Sequence, residues 1–319
     1  MDTRFRSEKS INGYSLDVLK SGLQKYIRRS ILDKAMYCAG EMDIFADTGK
    51  NGERIRTNFI HRMMIIYLED ISIGNYDIFK IISDSVFYLL ENRKTINRDR
   101  KQEIIEIKKI ITLMVNSKKS RIPSHFNNLT KSYDICKNTF LEQYFVDLSS
   151  LDEELKNKSI KSIIIAKQMD INNEQLKIFK SLSKYINIDI QLKWYKEIKT
   201  KERFLTWMVP LLYYLFGSDI NDNNINFIKD LSNVWANNIN NKIIIDDYVM
   251  DKHTHKGINK TTEYFAIEGA YVTPESTTHV SQILKLLYEH VRLQDKKKFD
   301  FERIYDLYGK TDLIFNYNV

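Results

Sequence analysis

The residues best suited to acid–base or metal chemistry lie between positions 246 and 270. This stretch holds two of the six histidines together with several aspartates and glutamates. On an extended backbone His253 and His255 would share a face with Asp251, and imidazoles with a carboxylate form a feasible ligand set for a divalent metal. Glu268 could act with His253 as a general acid–base pair if the chain between them folds back. One hypothesis is therefore a metal-assisted, nuclease-like hydrolase built on these four side chains.

Two other interpretations of this loop constellation involve no catalysis. The zinc motif His-Glu-x-x-His is absent, and no cysteine lies nearby. In an ordered loop, Thr254 would cap a turn, Asp251 would bind backbone amides, and Gly257 and Gly269 would adopt positive φ. Alternatively, its cations and a histidine would contact nucleic acid or another anion: Lys252, His253, Lys256 and Lys260. We favour the ordered loop and expect neither a metal centre nor a cofactor.

Arginine is concentrated in the first two-fifths of the chain. The excess of positive over negative residues lies in the same part. Residues 1–131 hold 24 Lys and Arg against 16 Asp and Glu, whereas residues 132–319 hold 25 against 26. The guanidinium group is a planar fork of donors that suits phosphates and carboxylates. We predict a nucleic-acid-binding surface formed by these cations: Arg28, Arg29, Arg54, Arg56, Arg62, Lys118, Lys119 and Arg121. The alternative is a basic face that is only solvated.

A polar stripe is predicted on a helix that runs from about residue 53 to residue 70. Apolar residues recur there at three- and four-residue spacing, as on the buried face of an amphipathic helix. Arg54, Asn58 and Arg62 return to similar positions around the helix axis, on the opposite side. The helix should therefore present a basic, hydrogen-bonding face away from the core.

The two carboxylates at the end of this helix require compensation. Glu69 and Asp70 would lie near its C-terminus, where the helix dipole disfavours negative charge by a few tenths to about 1 kcal/mol. An ion pair with Arg28, Arg29 or Arg62 would offset that cost and fix the helix to its neighbours. We favour this structural use of the arginines over direct contact with a ligand.

The same segment carries a family resemblance. A Leu-Lys-Ser-Gly-Leu-Gln-Lys-Tyr-Ile-Arg-Arg run at residues 19–29 precedes Ala-Met-Tyr at 35–37, and Tyr-Leu-Glu-Asp-Ile follows the Arg-rich helix at 67–71. Over residues 15–75 this pattern resembles the C-terminal helical collar of replication-associated AAA+ ATPases of the MgsA/RarA and Werner-interacting type. There an Ala-x-Tyr helix precedes an Arg-rich helix that ends in Ser-Glu-Asp-Ile/Val-Gly, whereas here the glycine comes later, at position 74.

The resemblance implies a helical scaffold in a DNA replication setting, not ATP hydrolysis. These 319 residues contain no Gly-x-x-x-x-Gly-Lys-Ser/Thr phosphate loop. The chain also resembles uncharacterised proteins of large cytoplasmic DNA viruses, which implies a viral protein that acts in the host cytoplasm or a viral factory.

The spacing of apolar residues and the scarcity of Gly (10) and Pro (3) predict a mainly α fold. We expect a multi-helical bundle or collar-like array with a small irregular or β-containing segment near 243–272. The predicted domains are a basic, Arg-rich 1–148 and a near-neutral 149–319. Helices are expected near 15–29, 31–45, 53–70, 76–91, 97–117, 152–167, 174–186, 201–216, 224–240 and 277–293.

Composition excludes several classes of protein. A hydrophobic content of 43% and an aromatic content of 12% exclude a wholly disordered chain, and two cysteines cannot form a disulfide framework. No apolar run of signal or membrane-spanning type is present, so we expect a cytoplasmic protein without membrane contact. We predict a non-catalytic protein that binds DNA, or proteins of a replication, repair or transcription assembly. The alternatives are the hydrolase above and a structural or virion protein that forms homo-oligomers.

Overall fold

The computed structural model of the protein describes residues 8–124, 147–159, 161–217, 242–261 and 264–273. The regular structure in these ranges is helical, which confirms the mainly α prediction. The β pairing described there is one isolated bridge between Lys9 and Ser15. Within the same ranges no helix has the length and apolarity needed to cross a membrane. The helices predicted near 224–240 and 277–293 lie outside the described residues.

The first compact unit contains residues 8–119 and the described part of 242–273. Its helices are α1 (Leu16–Arg28), α2 (Leu32–Asp43), α3 (Gly49–Ile66), α4 (Ile78–Asn92) and α5 (Arg100–Asn116). α1 packs on α2, α4 packs on α5, and both α1 and α2 also contact α5. The cause is visible along α1, where Leu16, Leu19, Leu23 and Ile27 recur every three or four residues and are all buried.

The end of α3 differs from the predicted helix. The α-helix begins at Gly49 rather than near residue 53 and ends at Ile66, and Tyr67–Ile71 then form a π-helical turn. Ser72 follows with φ 45° and ψ −120°, a backbone conformation that non-glycine residues rarely adopt. π-helical turns and strained residues often mark functional or tightly constrained positions, and this turn carries Glu69 and Asp70.

The second compact unit includes the described residues from 120 to 217. Its helices are α6 (Leu151–Lys156), α7 (Lys161–Ile171), α8 (Gln175–Leu182), α9 (Asp189–Glu197) and α10 (Leu205–Phe216). α6 packs on α7, α8 contacts α6, α7 and α10, and α9 packs on α10. The sequence predicted one helix where α6 and α7 are separate, and it missed α9. Trp194 and Trp207 are buried and anchor α9 and α10 in the core of this unit.

The two units divide the chain differently from the predicted domains, 1–148 and 149–319. Residues 242–261 and 264–273 belong to the first unit, although the second unit precedes them in the sequence. They are irregular, with a 3-10 turn at Asp247–Val249 and a π-helical turn at Phe265–Gly269, and neither described range contains a strand. We call them the returning segment. Cations in and just after α1 bind the returning segment to the rest of the first unit. The segment therefore belongs to the first unit and not with the helices that precede it in the sequence.

Candidate nucleic-acid interface

α1 connects the two polar segments that the sequence singled out. Gln24, Lys25 and Arg28 are buried and Arg29 is half-buried. Their side chains reach the π-helical turn after α3 on one side and the returning segment on the other. Buried polar groups need hydrogen-bond partners, and buried charges need opposite charges. These four residues, the α1 polar cluster, therefore hold three parts of the first unit together.

Arg28 forms the ion pair that was predicted for the end of α3. Its Nε lies 2.8 Å from Oδ1 of Asp70, and both side chains are buried, at 6% and 0% exposure. Its Nη1 also donates to the backbone oxygen of Gly269 at 3.0 Å. The predicted pairing is confirmed. The prediction that Arg28 belongs to a nucleic-acid-binding surface is wrong, because its guanidinium is enclosed and already has two partners.

Gln24 links this buried pair to a cation of α3. Its Nε2 donates to Oδ2 of Asp70 at 2.6 Å and to Oε2 of Glu69 at 2.9 Å. Its Oε1 accepts a hydrogen bond from Nη2 of Arg62. The neutral amide of Gln24 can donate through its nitrogen to the carboxylates and accept through its oxygen from the guanidinium. Gln24 therefore orients Arg62 from the interior.

Lys25 and Asp251 form a second buried pair. Nζ of Lys25 lies 2.5 Å from Oδ2 of Asp251 and also donates to the backbone oxygens of Tyr248 and Val249 at 2.8 and 3.0 Å. Burial lowers the pKa of Lys25, while the hydrogen bond that it donates to Asp251 acts against that effect. Oδ1 of Asp251 accepts from the backbone N–H of His253 at 2.8 Å. Asp251 thus binds a backbone amide, as the ordered-loop interpretation predicts.

The glycines of the returning segment serve close packing rather than positive φ. The hydroxyl of Thr254 accepts from the backbone N–H of Gly257 at 3.2 Å, which confirms the predicted turn cap. The prediction of positive φ at Gly257 and Gly269 is wrong, because neither adopts it. A Cβ at Gly257 would lie 2.4 Å from the backbone oxygen of Asp251. Glycine is required there because the backbone approaches itself too closely for any side chain.

Three of the four side chains proposed for metal or acid–base chemistry, those of Asp251, His253 and Glu268, have other partners. The ring of His253 packs edge-on against Phe265, with centroids 4.8 Å apart. The backbone N–H of His255 donates to Asp17 at 2.6 Å, and the Glu268 carboxylate lies 3.2 Å from Nη2 of Arg29. Among the residues that the structure describes, no group of three or more His, Cys, Asp or Glu could hold a metal ion. The geometry of these residues gives the hydrolase hypothesis no support.

Arg29 is also committed to the returning segment. It donates to the backbone oxygen of Glu268 at 2.8 Å. Its guanidinium lies 3.8 Å from the ring centroid of Tyr248 and 4.9 Å from that of Tyr271, distances at which a cation is attracted to an aromatic face. Lys252 lies in the same way 5.1 Å from the ring of Phe265. These contacts fix the returning segment and leave Arg29 half-buried.

Arg56 lies inside a second ionic network. It is fully buried, with Nε 2.6 Å from Oδ1 of Asp43 and Nη2 3.0 Å from Oε2 of the buried Glu103. Arg98 and Arg100 bind the same carboxylates from the partly exposed side, at 2.9 Å to Glu103 and 2.9 Å to Asp43. The prediction that Arg56 contacts nucleic acid is therefore wrong. Three arginines of the basic half are used to join α2, α3 and α5.

Lys119 is the third predicted contact that lies in the interior. Its Nζ donates to the backbone oxygens of Val115 and Ser117 at 2.7 and 2.6 Å and to the hydroxyl of Ser30 at 3.2 Å. Burial lowers the pKa of Lys119 to about 7. Because the amine is fully buried, its assignment to the surface is wrong. Lys118 and Arg121 are half-buried.

Among the predicted contacts, Arg54 and Arg62 on α3 remain available, and Lys50 on α3 and Lys20 on α1 lie near them. Lys50, Arg54 and Asn58 are exposed, and Arg62 and Lys20 are half-buried. We call these five residues the α3 basic face. In the described part of the chain no carboxylate lies within ion-pair distance of Lys50 or Arg54. Burial and then the nearby charge of Arg62 lower the pKa of Lys20 to about 8.

Two members of this face were missed in the sequence. Lys50 lies four residues before Arg54, so the helical period that selected Arg54, Asn58 and Arg62 could have included it if α3 had been started at Gly49. Lys20 lies four residues before Gln24 on α1 and approaches Arg62 only through the packing of α1 on α3. No local pattern records that approach.

No protein-family model, no curated protein and no solved structure matches the chain. The function is therefore inferred from the geometry described above.

Proposed function

We propose that this protein is non-catalytic and binds nucleic acid through the α3 basic face. The observation that carries the proposal is the contrast in how the cations are used. Arg28, Arg56 and Lys119 are buried and bound to acceptors, whereas Lys50 and Arg54 are exposed and have no acidic contact in the described residues. Positive charge left without carboxylates on one helix face attracts a polyanion.

The lowered pKa of Lys20 also favours binding of an anion at the α3 basic face. Its pKa is lowered to about 8, first by burial and then by repulsion from Arg62. The mildly opposing charge of Asp17 does not remove that repulsion. A phosphate placed between the two cations would favour the charged lysine, so binding of an anion and protonation of Lys20 would support each other.

The length of the α3 basic face favours a polymer over a small anion. Lys50 and Arg62 are twelve residues apart on one helix, which corresponds to about 18 Å at about 1.5 Å per residue. Phosphates follow one another at about 3.4 Å along one strand of a duplex. The face is therefore long enough to accompany about five phosphates. The resemblance of residues 15–75 to the collar of replication-associated ATPases supports a place in a DNA replication or repair assembly.

The proposal is tested by fluorescence anisotropy with labelled single- and double-stranded DNA. We expect micromolar or tighter binding to at least one form at about 50 mM salt, and a three- to tenfold loss for Arg54→Ala, about the effect of one phosphate contact. The matched control is Lys101→Ala, which removes an exposed cation from α5 and should leave the affinity unchanged. Absence of binding to both forms, or equal losses in the two variants, would contradict the proposal.

A further inference from the structure

We infer that the nucleic acid held by the α3 basic face is a duplex, bound through its phosphates without stacking of bases on the protein. The inference rests on the proposed function and specifies the form of its ligand. It follows from which side chains the face exposes and from which ones it keeps in the interior.

The phenylalanine and tyrosine side chains of α1, α2 and α3 lie in the interior. α1, α2, α3 and the turns that follow α2 and α3 contain five phenylalanines and tyrosines, all buried at 0–7% exposure: Tyr26, Tyr37, Phe45, Phe59 and Tyr67. Surfaces that bind single strands combine a basic groove with exposed rings on which bases stack, and each such stack contributes about 1–3 kcal/mol. The five residues of the α3 basic face offer charge and an amide but no aromatic ring, so the face lacks the platform on which single-strand binders stack bases.

Duplexes and single strands present different densities of negative charge. A duplex carries one charge per about 1.7 Å of axis, whereas each strand alone supplies one per about 3.4 Å. A surface that binds only through cations gains more from the denser array. Lys50, Arg54 and Arg62 are carried by one continuous helix, and a rigid row of cations matches a stiff duplex better than a flexible single strand.

α3 is held rigidly by the contacts of its inner side. Ile55, Arg56 and Phe59, on its inner side, are all buried, and the ionic network around Arg56 fixes the helix to α2 and α5. The backbone that carries the outward cations is therefore fixed before binding. A ligand of fixed phosphate spacing meets this row without rearrangement of the helix.

The experiment compares a 20-nucleotide single strand that cannot pair with itself and the 20-base-pair duplex of the same sequence, on the full chain, at 50, 100 and 200 mM salt. We expect the duplex to bind at least about fivefold more tightly. The double variant Lys50→Ala/Arg54→Ala should lower the slope of log K against log salt on the duplex by about 1.8, since each phosphate contact contributes about 0.9.

The control is Lys94→Ala/Lys101→Ala, which removes two exposed lysines, one just after the end of α4 and one on α5, and should leave the slope unchanged. Both double variants alter exposed residues only, and circular dichroism verifies that they are folded. Equal or tighter binding of the single strand would overturn the inference and leave the proposed function intact. If neither probe binds, the proposed function itself fails.

Discussion

Asp70 and Arg28 are joined in the interior by a 2.8 Å ion pair between Oδ1 and Nε. The pair fixes the π-helical turn after α3 to α1, and its guanidinium also holds Gly269 of the returning segment. A carboxylate buried at 0% exposure is tolerated only with such a partner. The stability of the first unit therefore depends on this pair, and its surface chemistry depends on cations outside it.

Removal of Arg28 should destabilise the first unit strongly. Arg28→Met removes the guanidinium that pairs with the buried carboxylate of Asp70, and breaking a buried pair in this way costs about 3–5 kcal/mol. Urea unfolding followed by circular dichroism measures the loss. Arg54→Met, on the exposed side of α3, is the matched control and should change stability by less than about 0.5 kcal/mol. Similar losses in both variants would show that the pair is not important for stability.

The close approach at Gly257 predicts a second large effect. In Gly257→Ala the new Cβ would lie 2.4 Å from the backbone oxygen of Asp251, and overpacking of this kind typically costs about 1–3 kcal/mol. Gly13→Ala is the comparison, since Gly13 has φ +82° but open space around it and should lose only about 1 kcal/mol. Thermal unfolding ranks the two variants. A smaller loss at Gly257 than at Gly13 would refute the packing explanation.

The lowered pKa of Lys119 predicts that the free energy of unfolding rises with pH. Its pKa is about 7 in the folded protein and about 10.4 in an unfolded chain, so the unfolded state binds more protons between these values. The free energy of unfolding should therefore increase from pH 7 toward pH 10, by up to about 1.4 kcal/mol per pH unit for this group. Urea titrations of the wild type and Lys119→Met at pH 7, 8 and 9 isolate it. The difference between the two proteins should grow in favour of the wild type, and a constant difference would contradict the prediction.

The pKa of Lys20 predicts that the affinity for nucleic acid falls as the pH rises. A phosphate favours its charged form, so affinity should fall as the pH rises from 7 to 9 through the pKa of about 8. The loss should stay below about tenfold at 0.1 M salt, the effect of one phosphate contact. Lys20→Arg, which stays charged, should bind equally well at both pH values. An unchanged pH dependence in that variant would place the titrating group elsewhere.

Gln24 should act on binding through Arg62. Gln24→Met removes the acceptor that orients the Arg62 guanidinium, and we expect binding about two- to fivefold weaker with the helical content retained. The loss should disappear when Arg62 is already alanine, which a double-mutant cycle measures. Gln102→Met on α5 is the control and should have no effect. Additive losses from Gln24→Met and Arg62→Ala would contradict a positioning role.

The helical fold and the buried pair could be predicted from the sequence because both follow from local rules. Apolar spacing identifies the helices, and two carboxylates at a helix end require nearby cations, for which Arg28, Arg29 and Arg62 are the candidates. The structure shows that Arg28 pairs with Asp70. Helical period also separates Arg54 from Arg56, because two residues correspond to about 200° around the axis. The prediction that both arginines lie at the surface neglected this separation around the helix.

The docking of the returning segment on α1 could not be predicted in this way. Lys25 and Asp251 are 226 residues apart in the chain, and no local pattern indicates that they meet. Total charge likewise does not distinguish a cation paired in the interior, such as Arg56, from one left exposed, such as Arg54. The difference depends on long-range packing.

The central claim is that the exposed cations of α3, rather than the overall charge of the chain, bind nucleic acid. Charge reversal tests it most directly: duplex DNA binding at 0.1 M salt is measured for Lys50→Glu/Arg54→Glu and for Lys94→Glu/Lys101→Glu, which change the net charge equally. The account predicts at least a tenfold loss of affinity for the first variant and less than a twofold change for the second. Equal losses in the two variants would contradict it.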